Sequence, residues 1–385
     1  MNSVKEKRVI ISGVNLTEGG ILSILQDCLF SLSKLNQSYK LKIILLVHKK
    51  ELVQEYLDSF TVYEYPKVKS SWFRRLYFEF IYSKKISNQL KPDLWISLHD
   101  ITPNVNCKFQ VVYCHNSSSF YKLPLKEGWL NFKEILFNFF YKHLFRINIK
   151  KNKFVIVQQN WLREEFEKRY GVKTIVAYPE LNVNDQVNNT VINDNVAKKK
   201  YTFFYPSFPR VFKNFEVLFN AINQISAKRD DFELLVTISG NENRYSRYIF
   251  NKFKGIENVK FLGKINREEV QDYYVKCDSL LFPSKLESWG LPLSEFKPLG
   301  KPIIVADLPY AHETVGDYPF VKYFDANSVD DLTRCIDAAI TGNLKFTKSK
   351  IIQPKQPFFN NWDDLLQFLI VESNVNILKL DNYQI

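Results

Sequence analysis

Short apolar runs alternating with helical patterns, met twice along the chain, constrain this sequence more than any other feature. In the first half the runs Val9–Ser12, Lys42–Val47, Leu94–Ser97, Phe109–Cys114 and Phe154–Val157 are separated by stretches with apolar residues at helical spacing. Strands joined through helices require crossover connections, and crossovers build a mostly parallel, doubly wound sheet. The helical pattern is sharpest after Gly19-Gly20, where Ile21, Leu22, Leu25, Cys28, Leu29, Leu32 and Leu35 line one face. A second series starts at Tyr201, with strands expected at Thr202–Tyr205, Glu233–Ile238, Val259–Leu262, Ser279–Phe282 and Pro302–Ala306. Its first helix carries Val217, Leu218, Ala221, Ile222 and Ile225 on one face, with Asn214 read as the N-cap.

Two series imply two domains, and 385 residues exceed the size at which one core keeps growing. Between them the chain turns polar, with Asn at 182, 184, 188, 189, 193 and 195 followed by Lys198-Lys199-Lys200. The expected division is an N-terminal Rossmann-like domain over 1–180, a linker over 181–200 and a second Rossmann-like domain over 201–345. A C-terminal segment over 346–385 follows, with a helix at Asn361–Val371.

Composition removes several classes of function. The five Cys are odd in number and include no Cys-x-x-Cys pair, which suits buried thiols in a reducing compartment and argues against a cysteine metal site. The apolar run Val9–Val14 is broken by Asn15, Thr17 and Glu18, too short for a signal-peptide core, and no stretch reaches the roughly 18 residues of a membrane span. A cytoplasmic protein is the expectation. Two aromatic-rich segments, Lys67–Lys91 and Phe120–Lys153, each carry a net +6, together as much as the whole chain's +12. Either an amphipathic surface lies against the anionic inner membrane, or solvated helix faces turn their aromatics into the core. Nucleic acid is not expected, because no base-reading motif accompanies the charge.

Two loops carry the chemistry. In Phe282-Pro283-Ser284-Lys285-Leu286-Glu287-Ser288-Trp289-Gly290-Leu291-Pro292-Leu293-Ser294-Glu295, a buried strand ends and a helix starts near Gly290, with Pro292 in its first turn and Gly300 as its stop. The N–H groups of Ser288, Trp289, Gly290 and Leu291 then form an anion site at the mouth of a parallel sheet. Glu287 and Glu295 are eight residues apart, about two helical turns, which places them on one side. In the second loop, strand Thr202–Tyr205 runs into Pro206-Ser207-Phe208-Pro209-Arg210-Val211-Phe212-Lys213-Asn214, setting two cations beside another helix start. Cations at a strand's carboxyl end suit a diphosphate.

Together these residues resemble the retaining glycosyltransferases of family four, which have the GT-B fold of two Rossmann-like domains facing across a cleft. The Glu287-x7-Glu295 signature carries the resemblance, and Asp307-Leu308-Pro309-Tyr310-Ala311-His312-Glu313-Thr314-Val315 is similar to members that build bacterial capsule or O-antigen polysaccharide. The resemblance implies Arg210 and Lys213 on the diphosphate of a nucleotide sugar, Glu287 near the donor sugar and Glu295 on the ribose. Many members space the two cations more widely, which shifts the weight to Lys213. His115, after strand Phe109–Cys114, stands where the family places a residue facing the donor sugar, and His99 is a similar candidate one strand earlier. Gly19 and Gly20 would bring backbone close to the donor, while Gln158, Gln159 and Trp161 resemble architecture. The final helix around Trp362 would cross back onto the N-terminal domain.

The implied reaction is hexosyl transfer from a nucleoside diphosphate to a hydroxyl of a glycan or lipid-linked oligosaccharide, with the anomeric configuration kept. With no Asp-x-Asp pair in the chain, protein cations rather than a metal are expected to hold the diphosphate, and no cofactor is expected. Domain closure over the donor would exclude water. A glycoside hydrolase fits less well, since its two carboxylates must flank an open sugar bond. An epimerase of the same fold and a non-catalytic basic membrane-surface protein remain as alternatives. Sugar release without an acceptor product would mark the first, and absent nucleotide affinity the second.

Overall fold

The computed structural model describes residues 7–39, 41–121, 140–179, 200–348 and 351–373. The linker expected over 181–200 lies outside them except for Lys200, as does most of the basic segment Phe120–Lys153. The chain divides into two compact units, one comprising Met1–Asn116, Phe140–Glu180 and Pro354–Ile385, the other Ser117–Phe139 and Leu181–Gln353.

The described strands, numbered in chain order, begin in the first unit with β1 (Lys7–Gly13), β2 (Leu41–Val47), β3 (Thr61–Glu64), β4 (Leu94–Ser97), β5 (Phe109–Cys114), β6 (Phe154–Val157) and β7 (Thr174–Ala177). The second unit holds β8 (Tyr201–Tyr205), β9 (Phe232–Val236), β10 (Val259–Phe261), β11 (Ser279–Phe282), β12 (Ile303–Ala306) and β13 (Val321–Phe324), and β14 (Phe358–Phe359) returns to the first. The sheet orders are β14-β7-β6-β5-β4-β1-β2-β3 and β10-β9-β8-β11-β12-β13, and every pairing is parallel. Both are α/β sheets of the doubly wound kind, with runs such as Leu41–Val47 and Ile303–Ala306 almost wholly buried because helices cover both faces.

Each sheet reverses its strand order once, between β1 and β4 in the first unit and between β8 and β11 in the second. In an open parallel sheet the crevice beyond the carboxyl ends at such a reversal is where ligands bind. The two motif loops leave the sheet there: Pro206–Asn214 follows β8, and Pro283–Gly290 follows β11.

The first unit's core joins distant parts of the chain. Leu25, Cys28, Leu29 and Leu32 of helix Gly19–Ser38 pack with Val9, Ile11 and Leu45 of the sheet. The same cluster takes in Trp362, Leu365, Leu366, Leu369 and Ile370 of helix Trp362–Glu372, whose N-cap Asn361 accepts from the Asp364 amide. Trp362 stacks on Tyr113 at 5.4 Å, and Lys7 Nζ donates to the Ile370 carbonyl at 2.5 Å, closing the helix's carboxyl end. The final helix thus belongs to the first unit, held by side chains each worth about 1.5–3 kcal/mol of burial before chain entropy.

Candidate functional site

In the second unit the two loops meet through one ion pair. Lys213 Nζ lies 2.5 Å from Glu287 Oε1, with the side chains 17% and 13% exposed, so the pair is half sheltered yet open to a ligand. Local structure puts Lys213 there: Val211–Lys213 forms one 3-10 turn, and Asn214 follows in the left-handed conformation at φ +61°. Five hydrogen bonds hold the frame. Lys285 N donates to Phe212 O at 2.7 Å, Tyr205 Oη to Lys213 O at 3.0 Å and Tyr310 Oη to Ser284 O at 2.6 Å. From the far side Ser207 N donates to Thr237 Oγ1 at 2.8 Å, and Asn243 Nδ2 to Pro209 O at 2.7 Å. Burial, then the Glu287 charge, hold the Tyr205 and Tyr310 hydroxyls well above their usual range, so both stay protonated donors.

Asn214 does something other than what its position suggests. Its side chain makes no cap hydrogen bond to helix Phe215–Ser226, contrary to the N-cap reading. Instead Nδ2 donates to Pro283 O at 3.0 Å and Ala326 O at 2.8 Å, tying the Lys213 loop to the Glu287 loop and to the turn after β13. The cap reading fails because a cap needs extended backbone at that residue, whereas Asn214 is left-handed.

The spacing reading of the two carboxylates is also corrected. Helix Leu291–Phe296 begins four residues after Glu287, so Glu287 stands on a loop and the two-turn argument does not apply. The carboxylates have separate partners: Glu295 Oε2 accepts from Tyr274 Oη at 3.1 Å, and Oε1 lies 3.6 Å from Arg267. Burial raises the Glu295 carboxyl above the ordinary range, against the lowering by Arg267 and Tyr274. Gly290, at φ +92°, leads into the helix, and Gly300, at φ +66°, stops the 3-10 turn that continues it. Ser288 and Leu291 are half-buried. Trp289 is buried, with Nε1 on Ser294 Oγ at 2.9 Å and its carbonyl held by Thr314, so it faces the domain interior and offers a ligand backbone only. Arg210 is exposed, its guanidinium 5.9 Å from both the Phe208 and Phe212 rings.

In the first unit the reversal point holds a different set. Gly19, at φ +61°, and Gly20 are exposed at the start of the 20-residue helix Gly19–Ser38, where the backbone is open to a ligand. His115 and Asn116 donate their backbone N–H groups to Asp100 Oδ1 at 2.9 Å each, and His115 Nε2 lies 3.5 Å from Asp100 Oδ2. Asp100 has φ +70° within a three-residue turn closed by Ile101 N donating to His99 O at 2.8 Å, a conformation that costs energy and that the two amides on its carboxylate hold, together with its own N–H donated to Tyr113 O at 3.1 Å. Asp100 was not among the sequence candidates. The signal was its place after the strand, beside His99.

His99 is structural. It is fully buried, with Nε2 2.9 Å from Ser12 Oγ and Nδ1 3.2 Å from Glu79 Oε1, while Arg75 donates to its carbonyl at 2.9 Å. Gln159 is likewise enclosed, accepting from Trp161 Nε1 at 2.7 Å. Burial outweighs the Arg75 guanidinium 4.0 Å away and pushes the Glu79 carboxyl from 4.5 up to about 8. The folded state keeps this proton while the unfolded chain releases it near 4.5, so stability falls as pH rises from about 4.5 to about 8. Burial, then Arg75, hold His99 well below its usual 6.5, so its own contribution is lost only as pH falls below that value. Between about pH 6.5 and 8 the denaturation midpoint should therefore fall in the parent and stay flat in Glu79→Gln. A flat parent profile would mean that Glu79 is ionised throughout.

Two parallel-sheet α/β domains in one chain are the architecture of the GT-B fold. Residues 186–353, nearly all of the second unit's stretch Leu181–Gln353, match the family model described as Glycosyl transferases group 1. The chain is similar to the O-antigen chain mannosyltransferase RfbU of Salmonella typhimurium, 24% identical over 185 residues. That stretch spans 46% of this chain and 48% of the relative, about half its length. Among solved structures, a glycosyltransferase from Rickettsia africae has a TM-score of 0.59 at 15% identity, covering 88% of this chain and 89% of that one. Alr3699/HepE of Anabaena, solved with UDP and glucose, has a TM-score of 0.57 at 12% identity over 96% and 97% of the two chains. These likenesses show the fold.

Proposed function

We propose that this chain is a retaining hexosyltransferase that moves a sugar from a nucleoside diphosphate to a hydroxyl of a glycan or lipid-linked oligosaccharide in surface polysaccharide synthesis. The observation that carries the reading is the Lys213–Glu287 pair at the reversal point of a sheet, within the residues that match the group 1 glycosyltransferase model. Departure of the diphosphate builds negative charge on its oxygens, and a cation already in place stabilises that charge without reorganising. Lys213 is assigned to those oxygens with Arg210 beside it, backbone from Ser288 to Leu291 completes the anion site, Glu287 addresses the sugar and Glu295 the ribose. For the first unit, His115 is assigned to the transferred sugar, and the backbone at Gly19 and Gly20 to donor or acceptor.

The relative's role in O-antigen chains, and the UDP and glucose held by the Anabaena protein, support a nucleotide-sugar donor and a glycan acceptor. No helix among the described residues is long and apolar enough to cross a membrane. On this reading a lipid-linked acceptor is met at the surface of the inner membrane.

The test is a thermal-shift panel of nucleoside diphosphates and their sugars, followed by turnover with the best binder. At least one diphosphate should raise the melting midpoint, turnover should survive chelation of divalent metals, and the product should keep the donor's anomeric configuration by NMR. No shift with any nucleoside diphosphate would end the proposal, and turnover abolished by chelator would reassign the diphosphate's counter-charge to a metal.

A further inference from the structure

We infer that the surface of the first unit built by residues 67–91 is a docking face for an anionic lipid bilayer. This inference goes beyond the transfer reaction and does not rest on it, since it stands on the first unit alone.

The segment runs from a 3-10 turn at Val68–Ser70 through helix Trp72–Tyr77, a π-helical turn at Phe78–Tyr82 and helix Ser83–Leu90. Its inner face is satisfied by the core: Val68, Phe78 and Ile86 are buried beside Ile10, Trp95 and Val105. The apolar side chains on the other face are extra. Phe73 is 87% exposed, Tyr77 55% and Ile81 60%, four residues apart along the helical run, and Trp72 is 40% exposed beside them. A wider π turn between Tyr77 and Ile81 offsets the drift that i, i+4, i+8 spacing would otherwise show, which keeps the three in one line.

Charge selects the partner. Lys67, Lys69, Arg74, Lys84, Lys85 and Lys91 are exposed, whereas Glu79, the segment's one acid, is fully buried. The exposed face therefore has no negative side chain of its own, and among the described residues Glu18 lies 3.9 Å from its Lys69. An aqueous acidic partner would use the cations and leave Phe73 and Ile81 in water. A nucleic acid could stack on the aromatics but gains nothing from Ile81. Only a surface with anionic headgroups above an apolar layer takes both sets, with Trp72 and Tyr77 suited to the boundary between them.

The full chain is to be sedimented with vesicles of phosphatidylcholine alone and with about one third phosphatidylglycerol, at low and raised salt. It should partition to the anionic vesicles only, and less at raised salt. Phe73→Ser/Tyr77→Ser/Ile81→Ser and Lys84→Glu/Lys85→Glu should each lower partitioning by at least about tenfold. Both variants change exposed residues, so their melting midpoints and nucleoside-diphosphate shifts should match the parent, which separates failure here from failure at the donor site. Absence of parent binding to anionic vesicles overturns the inference, as does undiminished binding of the triple serine variant. Binding lost only on charge reversal and displaced by a DNA oligomer would overturn it in favour of a polyanion site.

Discussion

Lys213→Ala lowers turnover by about 10²–10³-fold while changing donor affinity much less, the loss expected when one preorganised group facing developing charge is removed. Its Nζ is fixed 2.5 Å from Glu287 and only 17% exposed, so the protein has already ordered and partly desolvated the cation before any donor arrives. A cation held in this way acts most strongly on the species with the greatest negative charge on its oxygens. That species is the transition state for diphosphate departure, not the bound donor. The predicted signature is a fall in kcat and kcat/KM together, with KM little changed. Lys213→Arg recovers only part of the rate, because a planar guanidinium cannot occupy the same point beside the Glu287 carboxylate. Steady-state kinetics with the donor identified by thermal shift decide the matter. A raised KM with unchanged kcat would make Lys213 a simple binding residue, and full activity in the alanine variant would move the site elsewhere.

Asn214→Ala should destabilise the second unit by about 3 kcal/mol, through two unsatisfied buried carbonyls at about 1–3 kcal/mol each and a left-handed backbone that alanine adopts poorly. For a unit of this size that is a fall of about 6–12 °C in melting midpoint. Asn214→Gly removes the same hydrogen bonds but accepts φ +61°, so its loss is smaller. Asn214→Asp tolerates the backbone yet aims an acceptor at the Pro283 and Ala326 carbonyls, so it does no better than alanine. Calorimetry of the series separates the backbone contribution from that of the amide. Parent-like midpoints for all three variants would show that the bridge carries no stability. The alanine and glycine variants should also lose kcat/KM, since the Pro283 carbonyl begins the loop that carries Glu287.

The first sheet offers a contrast between two histidines that read alike in the chain. Both follow strands, and both sit near the reversal point. His99 is enclosed by Ser12, Glu79 and Arg75, while His115 keeps 14% of its side chain exposed above Asp100. A strand's end is visible in sequence, but the lid over it is not, because the groups that close over His99 come from a helical run some twenty residues away. The basic aromatic segment divides in the same way: Phe78 and Ile86 went to the core and Phe73, Tyr77 and Ile81 to the surface, a split that composition did not show. Four strands were not read from the sequence: Thr61–Glu64, Thr174–Ala177, Val321–Phe324 and Phe358–Phe359. Thr61–Glu64 is largely exposed, and Phe358–Phe359 is two residues long, so neither leaves the apolar run that marks a central strand.

The amino-acid sequence by itself determined what depends on neighbours along the chain. Apolar runs specify central parallel strands, helical spacing specifies Gly19–Ser38 and Phe215–Ser226, Gly290 and Gly300 bracket a helical run, and Asn361 caps the last helix. Tertiary structure alone decided which of these local pieces touch. Lys213 and Glu287 are 74 residues apart, and they meet because crossovers set β8 beside β11. Asn214 became a bridge and not a cap for the same reason, since its two acceptors lie 69 and 112 residues away. Local preferences fix backbone conformation over a few residues, whereas strand order and burial choose partners over the whole domain, and the chemistry of this site lies in the partners.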